Sequence, residues 1–459
     1  MKRILLSLAF LCASVAVVTA RNYTDLYRNL PIALSEPVAP VIPDRTVSLL
    51  DFGGSGDGIT LNTEAFRKAI SSLAKQGGGH LLVPAGIYLT GPISLKDNID
   101  LHLERNALVL FTPEKAAFMK ADGSGMVPGL SASKRKNISV TGEGILDGNG
   151  EWWRAVKRSK VSDVEWKDFL RLGGTVSEDD SLWYPFGLKH FDNAAASPQE
   201  QERLRTHLIR FTDCDRVLVS GITIQNSPKF HLVPQRCRNV IIDGVTVRCP
   251  WNAQNGDGID LMQCSDVLVT GCRVDVGDDG ICLKGGAGES GLKGGPCQRI
   301  LITGNTVNHA HGGFVIGSEF SGGMFDIIVR DNTFSGTDTG LRFKSGPGRG
   351  GRCRNIFISS IFMSDIRDEA IVFETSYANQ SVGETAKAAR TENFLPDFSD
   401  IHISGVTCRD ARIGVAARGL LTIIHDITLE KSIIFYSEKG TDIADPAMIS
   451  FRNVNILTY

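Results

Sequence analysis

The 459-residue chain is expected to fold as an all-β, right-handed parallel β-helix. Three observations lead there. A short β-branched motif recurs along the chain, its copies lie a few tens of residues apart, and the clearest amphipathic helix sits near the N-terminus.

The recurring motif comes first. Arg216-Val-Leu-Val-Ser-Gly-Ile-Thr-Ile224 returns as Asn239-Val-Ile-Ile-Asp-Gly-Val-Thr-Val247, then as Asp266-Val-Leu-Val-Thr-Gly-Cys-Arg-Val274 and Arg299-Ile-Leu-Ile-Thr-Gly-Asn-Thr-Val307. Asp326 to Phe334 and Asp400 to Cys408 continue it, and Asn137 to Gly142 holds an earlier copy. Each copy is a polar residue, alternating apolar residues, a turn element and a second short alternating run. The central Gly or Asp advances by 23, 27, 33 and 27 residues from Gly221 to Asp331. A fixed supersecondary unit at this spacing means a solenoid or array, and a propeller blade would need more residues per unit. Strands of four or five residues with one face inward account for the period-two alternation.

An open solenoid end exposes strand edges and calls for a cap. Residues 63–76 supply a candidate helix. Phe66, Ala69, Ile70 and Leu73 form one stripe, Asn62 stands at the N-cap position, and Gly77 to Gly79 stop the helix. The pattern breaks at about 151–205, a stretch with many charges and Trp152, Trp153, Trp166 and Trp183, and again at about 376–398. Both read as insertions in one domain spanning 21–459. Packing within the insertion is the expected use of the tryptophans.

The first 20 residues have a basic start at Lys2-Arg3, a short apolar run and small residues before Arg21, the form of a secretory signal peptide. The chain is therefore expected to be exported, to the periplasm or beyond. The run is too short for a membrane span, and no later segment is apolar enough. Ten cysteines, one of them Cys12 in the leader, contain no Cys-x-x-Cys pair, so zinc has no support. Cys272 and Cys408 sit at alternating strand positions, as small packed hydrophobes would. Their pairing does not follow from sequence. Net charge is −2, which gives no global field for nucleic acid or membrane. Local cations at Lys284, Lys293, Arg342, Lys344, Arg349 and Arg352 remain available for an anionic substrate.

Four islands carry the chemistry: Asn255-Gly-Asp-Gly-Ile-Asp260, Gly277-Asp-Asp-Gly280, His311-Gly-Gly313 and Arg342-Phe-Lys344. Residues i and i+2 of a strand share a face, so Asn255 with Asp257, and Arg342 with Lys344, can point into one groove. Adjacent Asp278 and Asp279 reach a common site only if the backbone bends, which Gly277 and Gly280 would make cheap. Stacked coils about 4.8 Å apart would bring the islands together. Three close carboxylates cannot all ionise freely, so at least one should keep a proton and serve as an acid. Taken singly, each island has a blander reading: a surface turn for Asp-Asp, a satisfied turn for His311, a solvated face for the cations Arg342 and Lys344, and part of a calcium loop for Asn-Gly-Asp-Gly. No glutamate follows where an EF-hand needs one. Asp260 reads as structural.

In order and spacing, the islands resemble glycoside hydrolase family 28, the polygalacturonases and their relatives. The family pattern is Asn-Thr-Asp-Gly, Asp-Asp, Gly-His-Gly and Arg-Ile-Lys, and the resemblance runs from about residue 47 to the end, outside the insertions. This chain has Gly256, Gly280, Ala310 and Phe343 where the family has Thr, Cys, Gly and Ile. None of these changes removes a charged side chain. The resemblance implies hydrolysis of α-linked galacturonate in pectic polysaccharide or oligogalacturonide, with inversion and without a cofactor or metal. It implies Asp278 as general acid, Asp257 and Asp279 as the pair activating water, and His311 as support for the acid. Asn255, Arg342 and Lys344 would bind substrate, and Tyr377 matches a tyrosine of the sugar site. His231 and Lys284 are further candidates for lining the cleft. Insertions that close one end of the groove would favour attack at chain ends. The alternatives are a rhamnogalacturonan hydrolase of the same family, a polysaccharide lyase on the same scaffold, and a non-catalytic β-helical glycan-binding protein. The oligomeric state is not legible.

Overall fold

A computed structural model describes residues 21–185, 204–377, 393–420, 423–443 and 447–459. The signal-peptide expectation falls outside these residues. Repeating units form three short strands per turn of a parallel β-helix. One coil consists of Ile209–Thr212, Asp215–Ser220 and Thr223–Gln225; the next is Leu232–Gln235, Arg238–Asp243 and Thr246–Arg248. The strands pair in parallel and in register, Ile209 with Leu232, Val217 with Val240 and Ile224 with Val247.

The alternating apolar residues become continuous ladders. Val217, Val240, Val267, Ile300, Ile327, Ile356 and Ile401 stack in register and are buried in one core. Each such residue contributes about 1.5–3 kcal/mol of burial. The polar residue opening each repeat has a backbone reason. Arg216, Asn239, Asp266, Arg299, Asp326 and Asp400 all adopt left-handed conformations, with φ between 52° and 58°. Asn and Asp tolerate that region better than branched residues do. Cys272 and Cys408 pack inside, and the nine described cysteines are buried and unpaired.

Helix α1, Thr63–Lys75, packs against the first strands, burying Phe66, Ala69, Ile70 and Leu73 in the common core. Asn62 does not cap it. Its side chain instead accepts from the Ser55 N–H and donates to the carbonyls of Ser55, Thr60 and Leu89, tying down the preceding loop. The described part of the 151–205 insertion contains helix α2, Asp163–Arg171, capped by Ser162 with Glu165. It also has a three-stranded antiparallel sheet of Val156–Lys157, Leu182–Tyr184 and Thr175–Val176. Trp153, Trp166 and Trp183 are buried, so these tryptophans serve packing. A bridge from Val156 to Ala253 fixes the insertion against the coil leading to Asp257. An N-terminal arm adds an unforeseen layer: Tyr23, Leu26 and Tyr27 cover the outward ladder Ile241, Leu268, Leu301 and Ile328.

Among the described residues, no helix is long and apolar enough to cross a membrane.

Candidate active site

The four islands meet on one sheet face. The strands Ile259–Met262, Ile281–Lys284, Gly312–Ser318 and Thr339–Ser345 lie side by side, with Asp260, Cys282, Val315 and Arg342 in register. Leu261, Leu283, Ile316 and Phe343 alternate with these and fill the core. Asp257, Asp278, Asp279 and His311 occupy the turns that lead into the strands.

Glycines at these turns allow close approach. A Cβ on Gly258 would lie 2.5 Å from the Gly280 carbonyl oxygen, and one on Gly280 would lie 2.6 Å from Val307. A Cβ on Gly277 would fall within 2.8 Å of the carbonyls of Pro250, Trp251 and Ala253. Gly277 and Gly280 are therefore needed for space. Neither has the left-handed φ that the expected cheap bend would use.

Asp278 sits in a nest of donors. It accepts from the backbone N–H of Asn255 at 3.2 Å and of Asp279 at 3.0 Å, and His311 Nδ1 lies 3.1 Å away. Asp279 turns the other way and accepts from Lys344 Nζ at 2.7 Å and 3.1 Å, with Arg342 Nη1 at 3.7 Å. Asp257 lies 3.6 Å from Lys284 Nζ, which also stands 3.2 Å from Asp260. Tyr377 completes the cationic side, its ring 5.7 Å from the Arg342 guanidinium and 5.2 Å from Lys344 Nζ.

These surroundings drive the acids apart. Burial, then the charges of Asp260 and Asp278, push the Asp257 carboxyl well above its usual range. Burial also raises Asp260, to about 7, with Lys284 offsetting part of the effect. Burial works to raise Asp278, yet His311, Lys344 and Lys160 outweigh it and hold this carboxyl low. Asp279 is likewise buried and is held low, chiefly by Lys344. The set thus spans carboxyls that hold a proton more tightly than usual, Asp257 and Asp260, and carboxyls that hold it less tightly, Asp278 and Asp279, the condition for acid/base work. Asp278, Asp279 and His311 each bring one possible ligand atom within 4.8 Å of the others. Ammonium groups already stand there, Lys344 on Asp279 and Lys160 on His311, so side chains supply the positive charge.

The sequence pattern of glycosyl hydrolases family 28 matches residues 186–418, about half of the chain, and takes in all four islands. The chain belongs to glycoside hydrolase family 28. It is similar to an exopolygalacturonase of Thermotoga maritima, with 30% identity, a TM-score of 0.71, and coverage of 90% of this chain and 94% of that one. An exo-poly-alpha-D-galacturonosidase of Dickeya chrysanthemi is 27% identical over 89% of this chain and 70% of its own length. A probable polygalacturonase of Vitis vinifera is 29% identical over 79% of this chain and 74% of its own length.

This family 28 hydrolase departs from expectation at several residues. His231 is wholly buried: Nδ1 lies 2.8 Å from the Asp257 carbonyl, and Nε2 accepts from the Ser227 N–H at 3.2 Å. It braces the backbone of Asp257 and cannot line the cleft as expected. Lys284, a candidate for lining the cleft, lies with its ammonium 3.6 Å from Asp257 and 3.2 Å from Asp260, as a partner of both acids. Asp260, read from sequence as structural, belongs to the same charged cluster. Asn255 has φ 51°, and its side chain accepts from Arg205 at 2.8 Å.

Three contributors escaped the sequence reading. Lys160, from the insertion, reaches His311 Nε2 at 2.9 Å. Arg205 holds Asn255 and the Gln254 carbonyl. Trp251, 54% exposed, stacks on His309 at 3.6 Å beside the cleft formed by Lys160, Gly277 and His311. In sequence, Lys160 is one of several cations in Lys157-Arg-Ser-Lys160, and nothing there singles it out.

Proposed function

We propose that this family 28 hydrolase is an exported, exo-acting polygalacturonase that cleaves α-linked galacturonate from pectic chains by a single inverting displacement. The observation that carries this reading is the cluster of Asp257, Asp278 and Asp279 at neighbouring turns, with Arg342 and Lys344 of one adjoining strand beside Asp279. Residues 21–459 form its single catalytic domain, with the 1–20 leader removed on export. Names of the similar proteins from Thermotoga maritima and Dickeya chrysanthemi support the exo-acting galacturonan reading.

In this scheme Asp278 protonates the glycosidic oxygen, with His311 hydrogen-bonded behind it. Asp257 and Asp279 draw a proton from the attacking water. Arg342 and Lys344, flanked by Tyr377, receive the substrate carboxylate, and a guanidinium fork suits that group. Substrate also adjusts the acids. In the free site the raised carboxyl is Asp257, while His311, Lys344 and Lys160 hold Asp278 low. A galacturonate carboxylate arriving beside Arg342 and Lys344 adds negative charge to the site and raises Asp278 towards the protonated state its role requires. The three acids titrate as one set, and the substrate's own charge moves the proton.

The test is the product profile from a defined linear galacturonan oligomer. Release of one short product from the start supports end attack. A random ladder of intermediate lengths would rule out exo action, and turnover of only a rhamnose-containing backbone would reassign the substrate. A product absorbing in the ultraviolet would instead indicate a lyase.

A further inference from the structure

His311 is held from both edges of its ring. Nδ1 lies 3.1 Å from Asp278 Oδ1, and Lys160 Nζ lies 2.9 Å from Nε2 while also donating to the Gly277 carbonyl at 2.7 Å. An ammonium carries donors and no acceptor. Nε2 must therefore accept, and the single ring proton sits on Nδ1, aimed at Asp278. A second ring proton would set N–H against N–H.

We propose that Lys160 is a positioning residue of the hydrolytic site, holding His311 neutral in its Nδ1–H tautomer so that Asp278 gains a hydrogen bond without an adjacent imidazolium.

Other charges around the ring act in the opposite direction. Asp278 lies at Nδ1, and Asp338 Oδ2 lies 3.8 Å from Nε2. Asp338 is itself 3.6 Å from Arg367, and Arg342 shares a cleft with His311. Two flanking carboxylates favour the imidazolium. Lys160 opposes them directly: its ammonium, held by the Gly277 carbonyl at 2.7 Å and drawn by Asp278 and Asp338, stands 2.9 Å from Nε2. The consequence falls on the acid. An imidazolium beside Asp278 would keep that carboxyl ionised, whereas a neutral N–H donor leaves it able to carry the proton for the leaving oxygen. The insertion therefore contributes to proton placement as well as to groove shape.

The inference rests on Asp278 as the acid, and the experiment keeps the two claims apart. Full-length Lys160→Met and Lys160→Arg enzymes are compared with wild type by pH–rate profile and by ¹⁵N NMR of the histidine rings, the His311 signals being assigned with His311→Gln. Wild-type His311 is expected to carry a single ring proton, on Nδ1. In Lys160→Met the ring becomes doubly protonated or moves its proton to Nε2. The acid limb of kcat/KM rises by about one pH unit, and kcat falls about tenfold with KM little changed. Lys160→Arg, which keeps a donor-only cation, restores both. A wild-type ring that is doubly protonated or carries its proton on Nε2 overturns the proposal, even if Lys160→Met fails to fold. Unchanged ring state and pH profile in a folded Lys160→Met also overturn it. If the ring changes as expected while Asp278→Asn retains turnover, the acid assignment fails and the Lys160–His311 link stands.

Discussion

Lys344 and Asp279 lie on different coils, yet Lys344 Nζ stands 2.7 Å from Asp279 Oδ2. The lysine crosses the intervening strand at Gly317, its register partner, where a Cβ would fall 1.8 Å from the Lys344 carbonyl oxygen. Both members of the pair are buried. Removing one partner of a buried pair leaves an uncompensated charge. Lys344→Met should therefore lower stability by about 3 kcal/mol and kcat/KM by at least about a hundredfold. Lys344→Met combined with Asp279→Asn should regain stability in a denaturant titration but not activity. A double variant no more stable than the single one would show that the pair is not coupled.

The division of labour among the acids is open to a leaving-group test. An aryl galacturonide with a good leaving group needs little help from a general acid. Asp278→Asn should lose far less activity on it than on an oligogalacturonide. Asp257→Asn should lose similar factors on both, because attack by water is impaired in each case. The reverse pattern would exchange the two roles, with Asp257, whose carboxyl is raised, as the acid.

Space at the acid-bearing turns predicts a rescue. Gly280→Ala drives a methyl group to within 2.6 Å of Val307 Cγ1, displacing the turn that carries Asp278 and Asp279. A shift of about 1 Å at the reacting groups costs on the order of a hundredfold in rate. Val307→Ala in the same chain should recover part of that loss in kcat. Gly258→Ala, which meets the Gly280 carbonyl at 2.5 Å, should have no such side-chain rescue. Equal activities for Gly280→Ala with and without Val307→Ala would contradict the packing.

Asp260 gives stability a pH dependence of known sign. Its carboxyl is raised to about 7 in the folded state by burial. A group raised on folding contributes stability that is present below its unfolded value, about 4, and lost as pH climbs through the folded value. Thermal midpoints of wild type should therefore fall between about pH 4 and pH 7 relative to Asp260→Asn. Parallel curves would mean that Lys284 cancels the burial of Asp260 fully.

Much of this fold was legible because its period is written in side chains. The β-branched ladders follow from Val217, Val240 and Val267 at their spacing, and their polar openers mark left-handed residues such as Asn239 and Asp266. The islands were legible through order. Contacts distant in sequence were not. Lys160 lies 151 residues from His311 and meets it from an insertion that the Val156–Ala253 bridge and the Gly277 carbonyl hold against the coils. His231 looked like a cleft residue because strand alternation does not reveal how deep a turn sits. Asn62 occupied a capping position, but its amide was committed to Ser55 and Leu89. The arm over Leu268 and Ile328 follows a run without periodicity, so no pattern announced it.

Single-turnover hydrolysis of an oligogalacturonide by Asp278→Asn tests the clustered-carboxylate mechanism most directly. Substrate affinity should stay within a few fold of wild type while the hydrolytic step slows by about a thousandfold or more. Hydrolysis at the wild-type rate, with the substitution confirmed and the fold intact, would contradict the mechanism.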